Sequence, residues 1–206
     1  MKNILKSIPK YFALASFALL PSGEDRIEIR QGLGFEYNVS FKKGIYQISK
    51  IAANSLGEDS FFWDGRKFID VGVKSGDTFV VVRTSFIKEK MTNPEKSFLF
   101  HPHPYFAFDR KRAIRPPSDS DLFNCSKYNE INLKNLAVVD SSGVWKYWTD
   151  SIFENKKDSL FVKYNQNMKR FFARQKFSKS TSLEEQLKDF ESDVKALGFN
   201  LKYEKF

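Results

Sequence analysis

The segment HPHPYFAFDRKRAIRPP, residues 101–117, holds side chains that could do chemistry in this 206-residue chain. It contains both histidines, His101 and His103, which would point the same way on an extended backbone and could share a metal ion. Two imidazoles are only half of a metal site, and a carboxylate such as Asp109 would have to fold back to complete it. Both could equally be solvated loop side chains, so the sequence assigns no metal and no other cofactor.

The same segment could instead bind a polyanion. Aromatic residues precede four cations, and aromatic faces beside guanidinium groups can stack on unpaired bases while phosphates are neutralised. A second basic run lies between residues 151 and 179, which include eight cationic and two acidic residues. The candidate nucleic-acid-binding residues are Tyr105, Arg110, Lys111, Arg112, Arg115, Lys163, Lys169, Arg170 and Arg174. The alternative is that the aromatic rings enter the core and the cations are simply solvated.

Composition limits the classes of protein that are possible. The formal net charge of +9 favours anionic partners such as nucleic acid over cationic ones. A hydrophobic fraction of 41% and a charged fraction of 29% are close to globular averages, which argues against wholesale disorder. A single cysteine, Cys125, excludes an intramolecular disulfide scaffold and a Cys-rich zinc site.

Other catalytic signals are weak. The sequence has no phosphate-cradling GxxxxGK[ST], no GxGxxG and no GxSxG motif. Cys125 could be a nucleophile only if the fold brought one of the histidines to it. Asp64, Asp70 and Lys74 loosely resemble a magnesium-dependent nuclease site, but Asp64 is better explained by a turn with the following glycine. The sequence therefore favours a protein that is not an enzyme.

The first 22 residues allow two interpretations. Lysines precede a short apolar run that ends at Pro21, the layout of a secretory signal, although no clean cleavage site follows. The same residues have helical periodicity with lysines on one side, which favours a packed amphipathic helix in a cytoplasmic protein. Export is the alternative, and the apolar run is too short to span a membrane.

Residues 26–150 are predicted to form a β-rich core. Alternating apolar residues from Phe35 to Phe41 predict a strand, with a turn at residues 42–44 and a returning strand over 45–51. Further strands are predicted over 68–73 and 78–87, and a hairpin folds at residues 141–143. We find no helical segment suited to a parallel crossover, so we expect a mostly antiparallel sheet.

The remainder is predicted to be helical, with a closing strand. Residues 151–198 show two amphipathic helices, beginning at capping boxes Ser151–Glu154 and Thr181–Glu184, and residues 199–206 alternate as a strand. The prediction is a single α+β domain, in which an N-terminal helix and two C-terminal helices pack on the antiparallel sheet.

The sequence alone supports three functional hypotheses. The first is a basic, non-enzymatic module that binds nucleic acid, or another polyanion, or docks as a subunit of a larger protein assembly. The second is a β-meander curled into a cup that binds an apolar ligand, outside the cytoplasm if residues 1–22 are a secretory signal. The third is a small nuclease or toxin.

Overall fold

A computed structural model of the chain describes residue 27 and residues 33–54, 59–75, 79–103, 114–150, 159–177 and 180–206. These residues form a mixed α/β structure in which helices cover both faces of a mostly antiparallel sheet. The strands are β1 Glu36–Tyr37, β2 Phe61–Trp63, β3 Phe68–Asp70, β4 Gly72–Ser75, β5 Phe79–Val82, β6 Phe98–Pro102, β7 Leu136–Val139, β8 Gly143–Trp148 and β9 Asn200–Lys205. The helices are α1 Phe41–Asn54, α2 Thr84–Lys90, α3 Asp119–Asn129, α4 Ser159–Phe177 and α5 Leu183–Lys195.

The main sheet has seven strands in the order β1-β3-β2-β6-β7-β8-β9, and β4 and β5 form a separate antiparallel pair. Successive side chains of the central strands point to opposite faces of the sheet, so the hydrophobic core consists of two clusters, one on each face. Leu99 and Trp145 point to the face covered by α3, α4 and α5, whereas Phe100 and Val144 point to the face covered by α1. Each face is packed with buried aromatic and aliphatic side chains.

The prediction of a hairpin over residues 35–51 is wrong. Only Glu36–Tyr37 is a strand, and residues 41–54 form helix α1. The side chains of Ile45, Ile48 and Ala52 recur at helical spacing and are buried against the sheet. The burial of these apolar side chains on one face of a helix therefore determines the structure of residues 41–54, despite the alternating pattern of the residues before them.

Two other hairpins are confirmed, and two predicted strands have the wrong bounds. The predicted strand over 68–73 is divided at Val71 between β3 of the main sheet and β4 of the separate pair. β2 and β3 pair across the turn at Asp64, and β7 and β8 pair across the predicted turn at residues 141–143. β5 pairs with β4 but ends at Val82, and the predicted strand over 78–87 gives way to helix α2 at Thr84. The tip of the β4–β5 turn, residues 76–78, lies outside the described residues.

A crossover helix that the sequence analysis did not find joins β6 to β7. These two strands are parallel, and the 11-residue helix α3 lies between them in the chain. Parallel neighbours require such a connection because the chain must return to the same end of the sheet. The start of α3 is thereby brought to the edge where β6 ends.

The two C-terminal helices and the closing strand are present. The capping box of α5 is formed by Ser182 and Glu185, one residue later than predicted, and Gly198 has the positive φ of 89° that favours glycine. The predicted helix over residues 1–22 and the predicted capping box Ser151–Glu154 lie outside the described residues. Within the described ranges, no helix has both the length and the apolar character needed to cross a bilayer.

Candidate metal centre

The two histidines lie at the carboxyl end of β6. His101 belongs to the strand, and His103 continues its ladder by donating its backbone N–H to Val139 O at 2.9 Å. Residues two apart on a strand face the same way, so both imidazoles lie on the side of the sheet that α3 covers. The predicted extended backbone and the shared orientation of the histidines are thus present.

Asp121, from the first turn of α3, faces both histidines. Ser118 is the N-cap, and its side chain accepts a hydrogen bond from Asp121 N while the Asp121 carboxylate accepts from Ser118 N. This capping box fixes the carboxylate beside the helix terminus. Because β6 runs towards the same edge, the carboxylate lies against the imidazoles.

The three side chains converge to within contact distance. The Nε2 atoms of His101 and His103 are 3.2 Å apart, His101 Nε2 is 3.2 Å from Asp121 Oδ1, and His103 Nε2 is 3.4 Å from Asp121 Oδ2. Ligands about 2.0–2.1 Å from a tetrahedral metal ion lie roughly 3.3–3.4 Å from one another. The separation of the two nitrogens and that of His101 from Asp121 Oδ1 are close to such an edge, whereas His103 contacts the other carboxylate oxygen. One donor atom from each of the three residues lies within 4.8 Å of the other two.

The electrostatics of the cluster favour an ionised carboxylate. Burial acts to raise the pKa of the Asp121 carboxyl, but the adjacent imidazoles, His101 foremost, hold this pKa well below its usual value. The side chains of the histidines and Asp121 are 12% and 16% exposed, so they are largely shielded from solvent but still reachable. An ionised oxygen beside two imidazole nitrogens is a donor set for a divalent transition metal.

Neighbouring elements hold the start of α3 in place. Tyr164 on α4 donates its hydroxyl to Pro117 O at 2.5 Å, and Asn165 donates to Asp119 Oδ2 at 3.2 Å. On the sheet side, the Asp140 carboxylate accepts the backbone N–H of Arg115 at 2.9 Å. The carboxylate of Asp121 is therefore positioned by contacts from both a helix and the sheet.

A cavity of about 310 Å³ lies beside the cluster, between the sheet and α3. His101 and Asp121 form part of its wall. Its other polar lining residues are Ser60, Thr84, Asn124, Lys127, Tyr128 and Tyr147. The cavity extends along β6 from Leu99 to His101, on the face of the sheet that α3 covers.

The predicted nucleic-acid-binding residues are only partly described. Tyr105, Arg110, Lys111 and Arg112 lie outside the described residues. Arg115 leads into α3, where its backbone contacts Asp140. The remaining four, Lys163, Lys169, Arg170 and Arg174, are exposed on α4.

Two of the α4 cations have acidic partners on α5. Arg174 Nη1 lies 2.8 Å from Asp189 Oδ2, and Arg170 Nη2 lies 3.7 Å from Asp193 Oδ2 while also donating to Asn167. Both guanidinium groups therefore link α4 to α5. Lys163 and Lys169 remain as the exposed cations of this set.

The weaker catalytic candidates have structural roles. Asp64 Oδ1 accepts the backbone N–H groups of Arg66 and Lys67, which caps the turn between β2 and β3. Asp70 Oδ1 similarly accepts from Gly72 N at 3.1 Å. Cys125 is buried, and burial together with the Asp121 charge raises the pKa of its thiol, so the nucleophilic thiolate is disfavoured.

Asp121 is the candidate ligand that sequence reasoning missed. Its signal was present, because Ser118 and Asp121 have the spacing of a capping box directly after two prolines. Asp109, the carboxylate considered from the sequence, lies outside the described residues.

Comparisons of the chain with protein-family models, with curated proteins and with solved structures found no match. The functional conclusion therefore rests on the geometry of the site.

Proposed function

We propose that the protein is a metal-dependent enzyme that acts on a small molecule in the cavity beside His101, His103 and Asp121. The observation that carries this proposal is the convergence of two imidazole nitrogens and one carboxylate, in a cluster whose His101 and Asp121 form part of the wall of that cavity. Structural zinc sites use four protein ligands, whereas catalytic sites use three and keep a position for water or substrate. The described residues supply three ligands next to open space.

The chemistry of the donors indicates the class of ion. Imidazole nitrogen suits zinc, iron, copper and nickel, and carboxylate oxygen suits harder divalent ions, so a mixed set favours Zn²⁺ or Fe²⁺. Such an ion polarises a substrate oxygen or lowers the pKa of a bound water. The role of this chain is to hold the ion at the cavity wall, with Asp121 fixed by Ser118 and α3 fixed by Tyr164.

Metal binding is tested by titrating the full-length protein with Zn²⁺ in competition with a chromogenic chelator. A second titration uses Fe²⁺ in the absence of oxygen. We expect one equivalent per chain, with affinity reduced at least about 100-fold in His103→Ala and in Asp121→Ala. Asp189→Ala is the matched control, since it removes a helical carboxylate that contacts Arg174 and belongs to none of the three candidate ligands. Circular dichroism verifies that each variant is folded, and unchanged affinity in folded His103→Ala would refute the proposal.

Polyanion binding is a second candidate, favoured by the exposure of Lys163 and Lys169 on α4. The test is oligonucleotide binding at low and at physiological salt, because neutralised phosphates release counterions and make affinity depend on salt. We expect Lys163→Glu with Lys169→Glu to weaken binding, and the matched pair Lys188→Glu with Lys195→Glu on α5 to have a smaller effect. Binding that does not change with salt would exclude this function.

A further inference from the structure

Hydrogen-bond donors form part of the wall of the cavity beside the candidate metal centre, which also contains Val82 and Leu99. The sheet contributes the hydroxyl of Tyr147, and α3 contributes Asn124, Lys127 and Tyr128. The only described carboxylate among the lining residues is Asp121, which lies against the two imidazoles. The wall is therefore suited to a ligand that is rich in oxygen acceptors.

Tyr147 carries the strongest indication of a ligand. Its side chain is buried, with 3% of the residue exposed, and it forms part of the cavity wall. Its hydroxyl is not among the fully buried unpaired atoms of the described residues, so it is accessible from the cavity. A hydroxyl that is accessible at a cavity wall can donate a hydrogen bond to a ligand that enters the cavity. The hydroxyl of Tyr128 likewise lines the cavity and has no partner among the described residues.

Both phenols remain protonated at neutral pH and act as donors. Burial, with a further contribution from the Asp121 charge, raises the pKa of Tyr128 to about 12 and raises that of Tyr147 well above its usual value. A protonated phenol donates to an anionic oxygen, and hydrogen bonds to charged groups are stronger than those between neutral groups.

Lys127 supplies the positive charge. It is exposed on α3 and belongs to the cavity lining, and its ammonium lies 5.2 Å from the centre of the Phe123 ring. It is the one cation among the described lining residues. One fixed charge and several neutral donors suit a ligand with a single acidic group.

On the basis of the metal site proposed above, we propose that the cavity binds a small organic oxyanion, a carboxylate or a phosphate. One of its oxygens completes the metal coordination, and Lys127 and Tyr147 bind the acidic group. A volume of about 310 Å³ lies at the lower end of the roughly 300–1,000 Å³ of ligand pockets, so the ligand is a small metabolite rather than a polymer.

The experiment is calorimetric titration of the metal-loaded protein with three probes of similar size. Glycerol 3-phosphate carries a phosphate, lactate carries a carboxylate, and glycerol carries no charge. We expect one of the anions to bind at least about tenfold more tightly than glycerol, which corresponds to one charge-assisted hydrogen bond. The preferred anion identifies the acidic group.

Two variants locate the binding. Lys127→Ala and Tyr147→Phe should each weaken anion binding about five- to tenfold while the affinity for the metal alone stays within about twofold. The matched controls are Lys134→Ala and Tyr46→Phe, at exposed residues outside the cavity. Equal binding of the three probes, or equal losses in variants and controls, would overturn the inference.

The two proposals can fail separately. If the titration with metal alone detects no binding, the proposed metal-dependent function fails. The same three probes on the metal-free protein then show whether Lys127 and Tyr147 select an anion by themselves.

Discussion

Ser118 and Asp121 exchange three hydrogen bonds across the first turn of α3. Asp121 Oδ2 accepts from Ser118 N at 2.6 Å and from Ser118 Oγ at 2.7 Å, and Asp121 N donates to Ser118 Oγ at 3.2 Å. The carboxylate that caps the helix is also the one that faces the two imidazoles. Helix capping and the candidate metal centre are therefore linked through one side chain.

We predict that Ser118→Ala weakens metal binding about tenfold, because the carboxylate loses a partner that fixes its orientation. The same change should lower the free energy of unfolding by about 1 kcal/mol, the usual cost of losing an N-cap. The measurement is metal affinity together with chemical denaturation.

Ser182→Ala is the matched control for this prediction. Ser182 and Glu185 form the same capping box at the start of α5, without any of the three candidate ligands. We expect a similar loss of stability with unchanged metal affinity, and Ser118→Thr should restore binding. Equal metal affinities in Ser118→Ala and the wild type would show that the cap does not position the ligand.

Asp140 joins the β7–β8 turn to the segment before α3. Its Oδ1 accepts from Ser142 N, Ser142 Oγ and Gly143 N, and its Oδ2 accepts from Arg115 N. We predict that Asp140→Asn lowers the free energy of unfolding at pH 7 by about 2 kcal/mol, because an amide group must now face a backbone donor. Urea denaturation measures the change.

The control for Asp140→Asn is Asp64→Asn. Asp64 uses one oxygen, Oδ1, for both of its backbone partners, so an asparagine oxygen can replace it. We expect a loss below about 1 kcal/mol there. Similar losses at the two positions would contradict the assigned role of Asp140.

The pH dependence of stability provides a separate prediction. Burial raises the pKa of Asp140 above its ordinary value of 3.8, although four hydrogen bonds oppose this shift. A raised folded-state pKa means that this group's stabilising contribution is complete below the unfolded pKa and is lost as pH rises through the folded pKa. The stability advantage of the wild type over Asp140→Asn should therefore decrease as pH rises from about 3.8. An advantage that grows over this interval would show the opposite shift.

Gly44 tests the helical structure of α1. A Cβ built there would lie 2.1 Å from Cε2 of Phe68, whose ring is fully buried. Glycine to alanine in an open helix interior stabilises by about 1 kcal/mol, but we predict that Gly44→Ala destabilises by about 1–3 kcal/mol through overpacking. In the Phe68→Leu background the cost should shrink, which a double-mutant cycle measures. A stabilising Gly44→Ala would mean that α1 does not pack closely on β3.

The limits of sequence-based prediction are visible at α1. Residues 35–41 alternate with period two, and the helical spacing of the buried face begins at the same phenylalanine, Phe41. The alternation predicts a turn at Gly44, whereas in the structure that glycine lies inside α1 and allows the close approach of Phe68. Local periodicity was sufficient for the hairpins at Asp64 and at residues 141–143, where both flanking strands lie in the sheet.

The candidate site shows the same limit. The orientation of His101 and His103 follows from strand alternation and could be predicted. The capping box at Ser118 could also have been found, and it would have placed Asp121 in the first turn of a helix. That this helix starts beside the end of β6 depends on the parallel pairing of β6 with β7, a contact between distant segments.

Anomalous diffraction from crystals of the protein grown with Zn²⁺, recorded on both sides of the zinc absorption edge, tests the metal centre most directly. We predict one peak between His101, His103 and Asp121, about 2.0–2.1 Å from each Nε2 atom. No peak at this position in crystals that hold zinc elsewhere would contradict the proposed metal centre.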